Sequence, residues 1–333
     1  MASSSGPGAP FEETERINLI HMITDAVTTL PFFKADAIKS FKTFYACLWL
    51  ADMEKLQYLI DRHLPDGPHW PIEIYDKFCR VGAEGKIGQN WQQKDRQEEA
   101  VDSRKGSWEY MDSPNGKRPK RQSAEVACCD RDKACILTNC SKDICQPYPL
   151  YPFWMNDENM DDVQHFFAAL REFWSDKKVH EWYNAIYGDG FGPEKPENLI
   201  LLSPNAYALY AKGYIVLEPV NRDAEGKWLT LKLWWLQQHE GDCVDFSIIP
   251  QLPSDIHPSD YGAALHDIRN DRPLLSGETI TLETHDPENY PLPDSRILEM
   301  QWVLNRVLAL SGTVKPNDLE DNEWHEDSDE ELI

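Results

Sequence analysis

Hydrophobic positions recur at two periods along this chain, and the changes between them outline its elements. Over residues 11–63 the spacing is helical. Ile20, Ile23, Val27 and Leu30 fall on one face, and Pro31, which cannot continue a helix, ends the run. A second run places Ile38, Phe41, Tyr45 and Leu48 at the same spacing and continues through Leu56, Leu59 and Ile60. Two amphipathic runs so close in sequence predict a packed helical hairpin. The pattern lapses over 84–126. This stretch is polar, poor in aliphatic residues, and ends in Lys117-Arg118-Pro119-Lys120-Arg121, so it reads as a flexible linker.

From about residue 130 strands and helices mix. Cys135–Thr138 and Asp143–Leu150 predict two short strands. Residues 157–187 predict one amphipathic helix, with Val163, Phe166, Phe167, Leu170, Phe173 and Trp174 sharing a face. Gly188-Asp189-Gly190-Phe191-Gly192 follows as a turn. It lacks the Lys-Ser/Thr ending of a phosphate-binding loop. Asn198 opens the apolar run Leu199–Leu202. Ser203-Pro204 then offers a cap and a first-turn proline for a helix to about Lys212, ended by Gly213. Tyr214–Pro219 and Leu229–Leu236 predict strands joined as a hairpin by Asp223-Ala224-Glu225-Gly226. Alternation along the second divides the adjacent Trp234 and Trp235 between surface and core. Residues 295–310 predict a last helix with Met300, Val303, Leu304 and Val307 turned inward.

A chain of 333 residues can bury a core without disulfide or metal support. The pattern divides it into a flexible N-terminus (1–10), a helical region (11–83), the linker (84–126), a compact unit (127–313) and an acidic, disordered tail (314–333). The formal charge of −24 removes any broad electrostatic footprint for DNA and favours a protein partner. The basic pentad at 117–121 reads as a solvated cluster, a nuclear localisation signal or a phosphate-touching arm. No leader or membrane-spanning run is visible, and eight cysteines without a leader predict reduced thiols in an intracellular setting, nucleus or cytoplasm. Five of them, Cys128, Cys129, Cys135, Cys140 and Cys145, cluster without a Cys-x-x-Cys spacing. Structural thiols are therefore expected there, with zinc or a regulatory disulfide as alternatives.

Several short stretches, in order, carry a family resemblance. They are Arg131-Asp132, Cys135-Ile136-Leu137-Thr138, Asn198-Leu199-Ile200-Leu201-Leu202-Ser203, Lys212-Gly213-Tyr214 leading to Glu218-Pro219, Thr284-His285-Asp286-Pro287, Pro291-Leu292-Pro293, and Gln301-Trp302 through to Leu310-Ser311-Gly312. Together, over about residues 130–313, they resemble the HNH endonuclease-like domain found in many fungal proteins. The resemblance implies an α+β fold: a ββα-metal unit elaborated with helices and a β-hairpin, here preceded by the N-terminal helical region.

In that family a histidine at the second strand acts as general base, an asparagine orients it, and a helix histidine holds a divalent metal. Carried onto this chain, Gln146 stands at the base position, Asn198 at the orienting asparagine and Tyr207 at the metal-ligand position. A glutamine amide cannot accept the proton of water, and a neutral phenol is a poor ligand for a hard cation. Loss of a general base alone costs about 10²–10⁴ in rate. The expectation is a catalytically degenerate domain acting as a binding or scaffold protein, without a cofactor. The alternative is an active endonuclease with Mg, Mn or Zn at an atypical site, with Cys145, Asp143 and Asn205 as substitute ligands. The histidines His239, His257, His266 and His285 are scattered, and His285 is expected to pack or cap.

Overall fold

Two corners, each made where a helical run breaks, join the N-terminal and central helices. The structure, a computed structural model, describes residues 14–28, 42–63, 120–237 and 263–312. In chain order the elements are α1 (Thr14–Thr28), α2 (Lys42–Leu50), α3 (Met53–His63), α4 (Lys120–Asp132), β1 (Gln146–Pro149), α5 (Asp161–Phe173), α6 (Asp176–Tyr187), β2 (Leu199–Leu202), α7 (Pro204–Ala211), β3 (Ile215–Arg222), β4 (Trp228–Trp235), β5 (His266–Asp267), β6 (Arg272–Pro273), β7 (Thr279–Glu283) and α8 (Ser295–Ser311). The fold is α+β. Leu30, Ile38, Phe41, His239, His257, Lys117–Pro119, the flexible N-terminus and the acidic tail lie outside the described residues, as does the linker up to residue 119.

The second N-terminal run is not one helix. It breaks at Ala51-Asp52, where the Asp52 N–H donates to the Phe173 carbonyl at 2.9 Å. The run over 157–187 likewise breaks, at Trp174-Ser175. Ser175 caps α6 by accepting from the Lys178 N–H, and the buried Trp174 indole donates to Leu50 O at 3.0 Å. The two corners face each other. The Asp52 carboxylate accepts from the Ser175 N–H at 2.9 Å and from Lys178 Nζ at 3.2 Å. A continuous apolar stripe predicts one helix, but a serine or aspartate that captures a backbone N–H can begin a new one.

The stretch read as linker in fact ends in helix α4, which starts at Lys120. Its buried face consists of Ala124, Cys128 and Arg131, two small residues and a cation, so hydropathy does not reveal it. Arg121, last of the basic pentad, pairs with Glu125 at 2.9 Å and lies 4.4 Å over the Phe153 ring. Cys135–Thr138 is a turn rather than a strand. Its ends are held by the Ala134–Ser141 bridge, and Asn139 follows at φ 57°. Strand β1 begins only at Gln146, because Lys142–Ile144 forms a 3-10 turn capped by Ser141.

Strands β3, β4 and β7 form an antiparallel sheet in the order β3-β4-β7, with β3 and β4 joined as the predicted hairpin. Asp223 closes its turn by accepting from the Lys227 N–H at 3.0 Å, and Gly226 takes φ 73°. Trp234 and Trp235 are not divided between surface and core; both are buried. Trp235 donates to Leu274 O at 2.9 Å, while Trp234, on the other face, donates to Glu218 at 2.8 Å. Helix α8 is buried along its length and packs against α2 and β3. One continuous core runs from Leu19, Ile20 and Ile23 of α1 to Leu310 of α8, so the helical region and the compact unit share an interior. No helix among the described residues is long and apolar enough to cross a membrane.

Arg131 and Asp132 sit at the end of α4 with side chains 0% and 2% exposed, bonded to each other at 2.6 and 2.9 Å. Arg131 also donates to Pro196 O, Pro291 O and Leu199 O at 2.9, 2.8 and 2.7 Å, and Asp132 accepts from the Leu201 N–H at 2.9 Å. Breaking such a pair leaves one buried charge uncompensated. Arg131→Leu is expected to cost about 3–5 kcal/mol of unfolding free energy, read as a lower urea midpoint at unchanged slope.

Asp267 docks the β5–β6 hairpin by accepting from Asn139 Nδ2 at 2.7 Å, Asn270 Nδ2 at 2.6 Å and the Arg269 N–H at 3.0 Å. Burial would raise its carboxyl pKa, but these donors outweigh it and hold the pKa below its usual value. The ionised form therefore contributes stability above about pH 4, and this is lost as pH falls through the lowered folded value. Asp267→Asn is expected to be less stable at pH 7 and to show a shallower loss of stability below pH ~4 than the parent, measured by denaturant titrations at stepped pH.

Candidate functional site

Strand β1, strand β2 and helix α7 form a compact strand–strand–helix unit that holds most of the residues singled out from the sequence. β1 and β2 pair antiparallel, from Gln146↔Leu202 to Pro149↔Leu199. Ser203 leaves β2 in extended conformation and Pro204 starts the helix at its first turn. The Ser203 side chain does not cap the helix; its oxygen lies 3.1 Å from Thr138 Oγ1, which ties the 135–140 turn to the unit. Gly213 ends α7 at φ 67°, a conformation that L side chains rarely adopt.

The interior of the unit is aromatic. Tyr148 on β1 meets Tyr207 edge-on at 4.9 Å and Tyr210 at 5.1 Å between ring centroids, a geometry that rings favour. The fully buried Tyr210 donates to Gln301 Oε1 at 2.6 Å and so anchors α7 to α8. Burial pushes the Tyr210 phenol pKa well up. Sequence reading missed Tyr148 and Tyr210, and it singled out Gln301 only as part of the Gln301-Trp302 stretch. Their apolar period was visible, but nothing in it shows that three tyrosines and a glutamine meet.

Asn198 precedes β2 and is 0% exposed. Its Oδ1 accepts from the Tyr151 N–H at 2.7 Å, and its Nδ2 donates to Tyr151 O at 2.8 Å and Pro193 O at 2.9 Å. Both amide protons and a lone pair are therefore used on the backbone. Gln146 is exposed, at the other end of the β1–β2 ladder from Asn198. The three residue steps between Gln146 and Pro149 span on the order of 10 Å. The structure thus brings Tyr207 to Tyr148 and leaves Gln146 and Asn198 apart.

The substitute ligands serve local roles. Asp143 accepts from the Ser141 hydroxyl at 3.0 Å within the 3-10 turn. Asn205 is exposed on the first turn of α7. The Cys145 thiol donates to Ser141 O at 3.1 Å, and burial followed by neighbouring thiols pushes its pKa up to about 11. Burial, then the Asp132 carboxylate, raises the Cys128 thiol pKa. All the cysteines among the described residues are free thiols. Among those residues no group of three or more His, Cys, Asp or Glu is arranged to hold a metal ion. His285 packs against Tyr290 with centroids 5.3 Å apart.

Close to Asn198 lies an open polar depression of about 520 Å³, lined by residues that include Asn184, Asp189, Lys195, Glu197 and Arg296. Its cations are engaged by their own neighbours. Lys195 Nζ bonds Asp189 at 2.6 Å and Ile186 O at 3.1 Å, and Arg296 forks onto Asp294 at 2.6 and 3.0 Å. Compared with protein-family models, with curated proteins and with solved structures, the chain matches none.

The chemical reading of Asn198 is testable. Removing its amide leaves the buried Tyr151 N–H without its acceptor and the Tyr151 and Pro193 carbonyls without that donor. Asn198→Ala is expected to destabilise by about 1–3 kcal/mol for each group left unsatisfied, while Gln146→Ala shifts stability by less than about 0.5 kcal/mol. Equilibrium denaturation of the two variants checks this; equal, small effects would mean that Asn198 is not a structural staple.

Proposed function

We propose that this chain is an HNH-like domain protein that has lost the nuclease step and acts as a binding or scaffold protein for a protein partner. The observation that carries the reading is the packing of Tyr207 against Tyr148 in a unit with the strand–strand–helix order of a ββα-metal site. In this reading the helix position that would carry a metal-binding imidazole carries a ring committed to the core instead. Two further features support it. The Asn198 amide is taken up by the Tyr151 and Pro193 backbone, and the Gln146 amide at the base position cannot take a proton from water. The charge of −24 supports a protein rather than a phosphate backbone as partner. The N-terminal helices are the proposed contact region, where Met22 on α1 is 46% exposed.

The test is a supercoiled-plasmid assay with Mg²⁺, Mn²⁺, Zn²⁺ or Ni²⁺. The expected outcome is no nicking above the protein-free control with any of the four. Nicking that follows the protein through purification and disappears in the exposed-site variant Gln146→Ala, or in Asn198→Ala shown to be folded, would replace the scaffold reading with an active endonuclease.

A further inference from the structure

The loop that leads into β1 carries three cysteines around a single rung of backbone hydrogen bonding. The Ala134–Ser141 bridge is antiparallel, so Cys135 and Cys140 are the next pair inward, and the Cys135 N–H donates to Cys140 O at 2.9 Å. Cys145 returns over this rung after the 3-10 turn. Its sulfur lies 3.6 Å from Cys140 O and 3.1 Å from Ser141 O. Cys135 is 1% exposed and its sulfur accepts from the Thr138 N–H at 3.3 Å, whereas Cys140 and Cys145 are both half-buried. Cys140 and Cys145 are thus two half-buried cysteines five residues apart, and the fold-back of the 3-10 turn sets the Cys145 sulfur against the Cys140 backbone.

We propose that Cys140 and Cys145 form a reversible dithiol–disulfide pair that responds to the glutathione redox state and cinches the loop in front of β1. The oxidant is glutathione disulfide. The Cys140 thiolate attacks one of its sulfurs, giving a mixed disulfide and releasing one glutathione thiolate. Cys145 then gives its proton to solvent and attacks the Cys140 sulfur, releasing the second glutathione. Two protein thiols are oxidised and one glutathione disulfide is reduced to two glutathiones. The raised pKa of Cys145 makes the second step slow near neutrality and faster at higher pH, because only the thiolate attacks.

The reduced full-length chain, incubated with glutathione disulfide under native conditions and quenched with an alkylating agent, tests this. Trypsin cuts after Lys142 and so separates Cys140 from Cys145. Peptide mass spectrometry is expected to find the two fragments joined, 2 Da lighter than their sum. Cys140→Ser and Cys145→Ser should each abolish the link, while Cys135→Ser and Cys47→Ser should retain it. The Cys140 glutathione adduct should accumulate at pH 7 and collapse into the link at pH 9. Glutathione adducts that persist at both pH values, a link that survives in Cys140→Ser, or unmodified Cys140 and Cys145 thiols at pH 9 would overturn the proposal.

Discussion

One ion pair, Arg131 with Asp132, fixes segments that otherwise share little. The guanidinium reaches the carbonyls before and within β2 and the loop that leads to α8, and the carboxylate holds the β2 backbone at Leu201. Both side chains are dry, so each depends on the other to be tolerated in the interior. The forked geometry also sets direction, since a guanidinium offers its donors in a rigid plane. With α4, β2 and the approach to α8 pinned, Asn198 falls where its amide can join Tyr151 to Pro193, and β1 pairs with β2 in a single register.

The helical side is organised by the same kind of interaction at lower cost. Asp52 acts at the α2–α3 and α5–α6 corners much as Asp132 does near β2: each carboxylate takes a backbone N–H from a distant element and pairs with a cation, Lys178 for Asp52 and the adjacent Arg131 for Asp132. Around these polar joints the packing is aromatic. Trp174 lies against Trp182 and Phe173, and Tyr151, Phe166, Phe167, Tyr183 and Tyr187 form a continuous set of edge-on and tilted rings. Large rings fill volume with few rotatable bonds, which suits a core shared by elements far apart in sequence.

The strand–strand–helix unit is organised around its rings. Tyr148, Tyr207 and Tyr210 fill the space under α7, and the Tyr210 hydroxyl turns to α8 rather than to solvent. In such a unit the polar residues at its edge, Asn198 above all, are held by backbone and hold backbone in return. The chemistry left near the surface is that of the thiols at Cys140 and Cys145, in the loop that enters β1.

Much of the architecture was legible in the residues alone. The period of α8, with Met300, Val303, Leu304 and Val307 inward, the β3–β4 hairpin with its Asp-x-x-Gly turn, and the start and stop of α7 at Pro204 and Gly213 all follow from local chemistry that acts within a few residues. The site was legible only as residue types. Gln146, Asn198 and Tyr207 could be named, but not that Tyr207 meets Tyr148 while Gln146 and Asn198 stand at opposite ends of a ladder. Tertiary contacts decided the rest: the breaks at Asp52 and Ser175, the helix hidden behind Ala124, Cys128 and Arg131, and the burial of both Trp234 and Trp235. The physical reason is range. Hydrophobic period records how one side chain divides between water and core, whereas the hydrogen bonds that hold Ser175, seat Arg131 and occupy Asn198 include partners 47 to 160 residues away, which no local pattern contains.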